Sequence, residues 1–193
     1  MIPTTATEEI MSRYVDNIIS VWNNASDDQL AHGRMWYRVA HDLAEMLAGD
    51  ARKGAGVLAA LSPQQSWETN VGLAGRAFTN GSASGHMGDA LRKANRIMAG
   101  ERPEDVLPMS SKTGHFYLCI ADPTDDRTVC VDRHAHDIAV GFRFGGEDRG
   151  LSAKRRYNTL ADAYRRAAEK LNELPQTVQA VTWVTWRENE ASS

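Results

Sequence analysis

Apolar residues in this chain recur three and four positions apart along most of its length, and only one tripeptide favours an extended strand. Ile10, Tyr14, Ile18, Val21 and Trp22 share one helical face, and Met35, Trp36, Val39, Leu43, Met46 and Leu47 share the next, the period with which an amphipathic helix buries one stripe. Between them Ser26-Asp27-Asp28 supplies an N-cap followed by first-turn acids, and Gly49-Asp50 supplies a stop. The run Val57-Leu58-Ala59-Ala60-Leu61 halts at Ser62-Pro63, because proline disfavours helical geometry in the residue before it. Helices follow over about 66–78, 89–98 and 110–120, separated by the loop 80–85, by Gly100 and by Pro103 and Pro108. The acidic turn Asp122-Pro123-Thr124-Asp125-Asp126 leads into Val129-Cys130-Val131, which leans toward β but is too isolated to make a sheet. Gly145-Gly146 and Gly150 mark a last long loop, and residues 159–174 and 175–187 read as closing helices, the second opened by a proline in its first turn. The pattern predicts an all-α protein of about eight helices.

A chain of 193 residues with 42% hydrophobic and 24% charged residues reads as one globular domain, and excludes collagenous, disordered and disulfide-dense classes. Cys119 and Cys130 have no Cys-x-x-Cys partners, so they cannot assemble a four-thiolate zinc or iron–sulfur site and are expected reduced and buried. No stretch approaches the roughly 18 apolar residues of a membrane span, and Glu8 and Glu9 lie near the N-terminus where a signal peptide would be basic. A cytoplasmic protein with no cofactor, no metal and no membrane contact is expected, and a monomer.

The densest candidate chemistry lies in Leu107-Pro108-Met109-Ser110-Ser111-Lys112-Thr113-Gly114 and, after an apolar helix, in Val131-Asp132-Arg133-His134-Ala135-His136-Asp137. A loop of small residues feeding a helix leaves backbone N–H groups pointing outward, which suits a phosphate oxygen; a plain N-cap at Ser110 or Ser111 explains the same residues. Lys112 opens that helix and Asp132 follows the extended exit. An amine held in a partly dry cleft at a helix N-terminus can act as a nucleophile, and a nearby carboxylate can accept a proton or stabilise a developing cation. A surface lysine and a solvated aspartate remain the alternative. In His134-x-His136-Asp137 the two histidines point to different sides of a helix, which argues against a metal site.

Leu-Pro-x-x-x-Lys-Thr, an apolar helix and then Val-Asp-x-His resemble the signature of the helix-hairpin-helix DNA glycosylases, in particular the endonuclease III-like branch. The resemblance implies a two-lobed helical bundle, a hairpin that binds a DNA phosphate through backbone amides at Ser110, Ser111 and Thr113, a lysine at Lys112 that attacks the sugar C1′ in bifunctional members, and an aspartate at Asp132 that supports departure of the base. Arg133 and His134 fall beside it as candidate DNA contacts. Ala60-Leu61-Ser62-Pro63-Gln64-Gln65-Ser66 is similar to the family's Leu-Ser-x-Gln segment, whose glutamine fills the gap left by a flipped nucleotide; Gln64 is the matching position, with Gln65 beside it. The likeness covers about 57–141, with 1–50 and 151–188 as packing helices. The family's glycine-x-glycine is Met109-Ser110-Ser111 here, one residue shorter, and the four-cysteine cluster loop of many relatives is absent.

The resemblance implies an enzyme acting on an extruded base in duplex DNA, as a glycosylase with or without AP-lyase activity. Two alternatives share the scaffold: a transferase like the phage enzymes that place amino acids or polyamines on activated hydroxymethyl-pyrimidines, and a module that binds DNA or protein without chemistry. Trp183 and Trp186, beside Val178, Val181 and Val184, read as core, and Trp67 either plugs a helix entry or stacks on a base. The net charge of −3 does not exclude DNA, because it is uneven. Lys154, Arg155, Arg156, Arg165, Arg166 and Lys170 face only Asp162 and Glu169 in one segment, and Lys154, Arg155 and Arg156 are expected to contribute a small basic footprint on DNA.

Overall fold

A computed structural model describes residues 7–191. The described residues form ten helices and no strand: α1 (Glu8–Asn23), α2 (Asp27–Ala48), α3 (Ala51–Leu61), α4 (Trp67–Asn80), α5 (Gly88–Met98), α6 (Pro103–Val106), α7 (Lys112–Ala121), α8 (Arg133–Val140), α9 (Lys154–Leu171) and α10 (Pro175–Ala191). The all-α expectation stands, and the two helices beyond the expected eight include the single turn α6. None of the described helices is long and apolar enough to cross a membrane. The chain divides into two compact units: Met1–Tyr37 with Thr124–Ser193, here the terminal unit, and Arg38–Pro123, the middle unit.

The terminal unit packs α1 against α8, α9 and α10. Met11, Tyr14, Val15, Ile18 and Trp22 form the buried stripe of α1, and Tyr157, Leu160, Ala161, Tyr164, Ala167 and Ala168 that of α9. The buried alanines of α9, Ala161, Ala163, Ala167 and Ala168, let the helices approach closely. At the start of α2, Ser26 and Gln29 cap each other reciprocally: Gln29 N–H donates to Ser26 Oγ at 3.2 Å and Ser26 N–H to Gln29 Oε1 at 3.0 Å. α9 begins at Lys154, five residues before the predicted start, with no side-chain cap at Ala153 and basic residues in its first turn, the reverse of the usual start signals.

Val129-Cys130-Val131 is buried and belongs to no helix or strand. The Tyr157 hydroxyl donates to Val129 O at 3.0 Å and accepts from Val131 N–H at 2.9 Å, so one side chain satisfies the backbone groups a neighbouring strand would otherwise serve.

In the middle unit α3 is the central element, packed against α4, α5, α6 and α7. Every residue from Gly54 to Leu61 is buried, which is the behaviour of a helix surrounded on all sides. Gly54 and Gly56 are points of close packing on α3: a Cβ on Gly56 would lie 2.7 Å from the Pro103 ring, and one on Gly54 would overlap the backbone of Ala44. Asp50, expected only to stop α2, also caps α3, its Oδ1 accepting from Lys53 N–H at 2.8 Å. Both cysteines are buried, Cys119 in the middle unit and Cys130 in the terminal unit.

Candidate functional site

The candidate residues fall in both units. Gln64, Gln65, Ser110, Ser111, Lys112 and Thr113 belong to the middle unit; Asp132, Arg133, His134, Lys154, Arg155 and Arg156 belong to the terminal unit.

In the middle unit α3 ends at Ser62-Pro63, and the chain turns through Gln64, whose φ of +61° is one of two positive values among non-glycine residues described. Left-handed backbone disfavours a residue with a Cβ by roughly 1–2 kcal/mol, so an exposed glutamine held there is a local strain of the kind that collects at functional turns. Gln65 Nε2 donates to His86 Nδ1 at 3.3 Å, and Ser66 caps α4 by accepting from Thr69 N–H at 3.2 Å. Trp67, the first residue of α4, meets Phe116 of α7 edge to face with ring centroids 6.4 Å apart.

Phe116 stands one turn beyond Lys112, so this contact joins the Gln64 turn to the hairpin α6–α7. Within the hairpin Ser111 N–H and Ser111 Oγ both donate to Pro108 O, at 3.0 and 2.8 Å, and Tyr117 OH donates to Glu104 Oε1 at 2.6 Å. Ser111 is the N-cap residue, but its hydroxyl turns back to Pro108 and makes no cap bond to α7, whose first turn contains no acid. His115 Nδ1 lies 2.7 Å from Ser111 O; a carbonyl only accepts, so Nδ1 carries the hydrogen. Gly114 lets α7 sit on the turn itself, since a Cβ there would fall 2.7 Å from Pro108 O and overlap Met109. Lys112 is exposed, so the dry environment expected of an amine nucleophile is not supplied by its own helix.

In the terminal unit Asp132 caps α8, its Oδ1 accepting from Ala135 N–H at 2.8 Å, while Oδ2 accepts from Trp183 Nε1 at 3.1 Å. Trp183 is half-buried rather than core. Arg187 lies over its ring at 4.5 Å, and the rings of His134 and Trp36 meet it edge to face at 6.4 and 6.0 Å. Sequence reasoning missed this residue, because an indole 51 positions from Asp132 leaves no local signal. Arg133 is exposed and its Nε donates to His134 Nε2 at 3.2 Å; Lys154 and Arg155 are exposed on the first turn of α9. Arg143 stacks on Trp186 at 4.2 Å and donates to its carbonyl at 2.7 Å.

Arg156 requires a correction. Expected as a DNA contact, it is buried, with 2% of its surface exposed, and belongs to an internal polar chain. Its guanidinium donates to Tyr14 OH at 2.9 Å and lies 3.2 Å from His136 Nε2; His136 Nδ1 lies 2.8 Å from Asp137 Oδ1. Asp137 in turn accepts two bonds from Arg149, at 2.7 and 2.8 Å, and one from Phe144 N–H at 3.1 Å. Arginine only donates and a carboxylate only accepts, so His136 is neutral, with its hydrogen on Nδ1 and its Nε2 lone pair toward Arg156. Among the described residues no group of three or more histidine, cysteine, aspartate or glutamate side chains is arranged to hold a metal ion.

Burial pushes His136 below its ordinary value, helped by the Arg156 charge and only partly opposed by Asp137. Burial would raise the Asp137 carboxyl, but the Arg149 fork, His136 and the Phe144 N–H outweigh it and hold it below the usual carboxylate range. Stability therefore falls as the medium is acidified: below about pH 6.5 the unfolded chain takes up a proton at His136 that the folded chain refuses, and the Asp137 contribution is lost further down, as pH falls through its lowered folded value. The melting temperature is expected to drop between pH 7.5 and 5, with a shallower drop for His136→Asn. Parallel profiles for the two proteins would exclude His136 as the source.

A model of a family of unknown function, DUF7178, matches residues 1–190 of the chain. The chain belongs to DUF7178. No curated protein and no solved structure matches it. The geometry above is therefore what this DUF7178 member offers for a functional reading.

Proposed function

We propose that the protein is a cytoplasmic DNA-base enzyme of the helix-hairpin-helix glycosylase type, acting on an extruded base with Lys112 as its nucleophile. The observation that carries the reading is the Trp67–Phe116 contact. It joins, within one compact unit, the two segments whose sequences separately resemble that family: the turn with Gln64 at left-handed φ, and the hairpin that ends in Lys112. The start of α7, without a side-chain cap or a first-turn acid, suits a phosphate. Exposed Gln64 suits the place of a displaced nucleotide, whose unstacking costs a few kcal/mol.

In this reading the Lys112 amine attacks C1′ of the extruded nucleotide, the bond from C1′ to the base breaks, and the base leaves with the electron pair and a proton. The sugar ring then opens to an imine on Lys112, which permits strand cleavage. The resemblance gives Asp132, in the terminal unit, the part of stabilising positive charge as a base departs. Because Lys112 is exposed, the bound nucleotide itself must exclude water from the amine.

Incubation with native and hypermodified DNA, followed by nucleoside mass spectrometry and borohydride trapping, tests the reading. Base loss and a covalent adduct are expected with the wild type, and no adduct with Lys112→Ala. A mass gain on the base would replace the reading with the transferase on the same scaffold. Neither change on any substrate, with DNA binding retained, would make the protein a non-catalytic module.

A further inference from the structure

We infer that Trp183 is a positioning residue for Asp132, an inference that rests on the base-directed reading above. Asp132 has two carboxylate oxygens and each receives one N–H: Oδ1 from Ala135 at the start of α8, Oδ2 from Trp183 on α10 at 3.1 Å. The first bond is an ordinary helix cap, which any aspartate N-cap makes. The second fixes the remaining rotation of the carboxylate, so its open lone pairs face one direction.

Trp183 is itself held for this task. Trp36 meets its ring edge to face at 6.0 Å, and the Arg187 guanidinium lies over the ring at 4.5 Å. A cation over the π face draws electron density from the indole and strengthens its N–H as a donor. A tryptophan serving only as core would be buried with its N–H on a backbone carbonyl; this one is half-exposed and spends its N–H on the carboxylate placed in the chemistry.

Trp183→Phe removes the donor and keeps an aromatic ring, though a smaller one, beneath Arg187. On the oligonucleotide that reveals turnover, kcat is expected to fall about tenfold, the equivalent of one hydrogen bond to a charged group, with KM unchanged. No loss, or a loss confined to KM, overturns the positioning role. The Trp183 indole resonance in 1H–15N spectra gives a readout without turnover. It is expected to move in Asp132→Asn, and if it stays in place the bond is absent in solution and the inference falls whatever the protein catalyses. If the resonance moves and the wild type turns over no DNA, the base-directed reading fails and the catalytic meaning of Trp183 fails with it, leaving a structural bond.

Discussion

Asp137→Ala is expected to destabilise the protein by about 3–5 kcal/mol, the usual consequence of removing one partner from a buried charge network. Its carboxylate is almost fully buried and accepts from His136, Phe144 and both arms of Arg149. Without it Arg149 keeps a charge with 13% of its side chain exposed, and His136 keeps an Nδ1–H with no acceptor. The loop after α8 should loosen with it, because Phe144 is tied by its N–H to Asp137, by its carbonyl to Arg149 at 2.9 Å, and by its ring to His136 at 4.9 Å. Urea unfolding measures the loss. A change below about 1 kcal/mol, the size of an ordinary single hydrogen bond, would mean that the network is not formed in solution.

Gly54→Ala provides the second large effect, and here the sign decides the matter. In an exposed helix interior the same change gains up to about 1 kcal/mol, because alanine has the higher helix propensity. At Gly54 the new Cβ would fall 2.6 Å from the carbonyl carbon of Ala44 and nearer still to its oxygen. Backbone cannot move aside as a flexible side chain can, so α3 would have to lift off α2 within the middle unit. A net destabilisation of about 1–3 kcal/mol is expected, the range for overpacking a core. Gly75→Ala on α4 is the control: its Cβ would meet Leu47 at an ordinary 3.9 Å, so it should be neutral or stabilising by up to about 1 kcal/mol. Equal melting temperatures for the two variants would contradict the tight α2–α3 contact.

These two positions also show where the sequence speaks plainly and where it is silent. The stripe of α1 follows from spacing, but on α2 the expected Met35, Val39 and Met46 are exposed, and Tyr37, Ala40 and Ala44 are buried in their place. α3 is legible only over the run 57–61: it buries every face, and nothing local shows that Gly54 and Gly56 pack on a backbone and a proline ring. The start of α9 was missed because its first turn is polar, uncapped and basic, all signals that normally exclude a helix start. In the candidate site, the Gln64 and Lys112 segments could be read from local motifs. Their link through Trp67 and Phe116, the bond from Trp183 to Asp132, and the burial of Arg156 all depend on residues far apart in the chain. Arg156 is the clearest case: in a basic run it looks identical to its exposed neighbours Lys154 and Arg155, and only the helical rotation that turns it toward Tyr14 and His136 separates a structural cation from a surface one.

The Tyr157 hydroxyl has a consequence for how this family can drift. It bonds the backbone of Val129 and Val131, not their side chains, so the tripeptide is free to exchange one apolar residue for another of similar size. Position 157 has no such freedom: phenylalanine would fill the space and leave two buried backbone groups unserved. Among DUF7178 sequences, variation is expected to accumulate at 129–131 while the tyrosine facing it stays fixed.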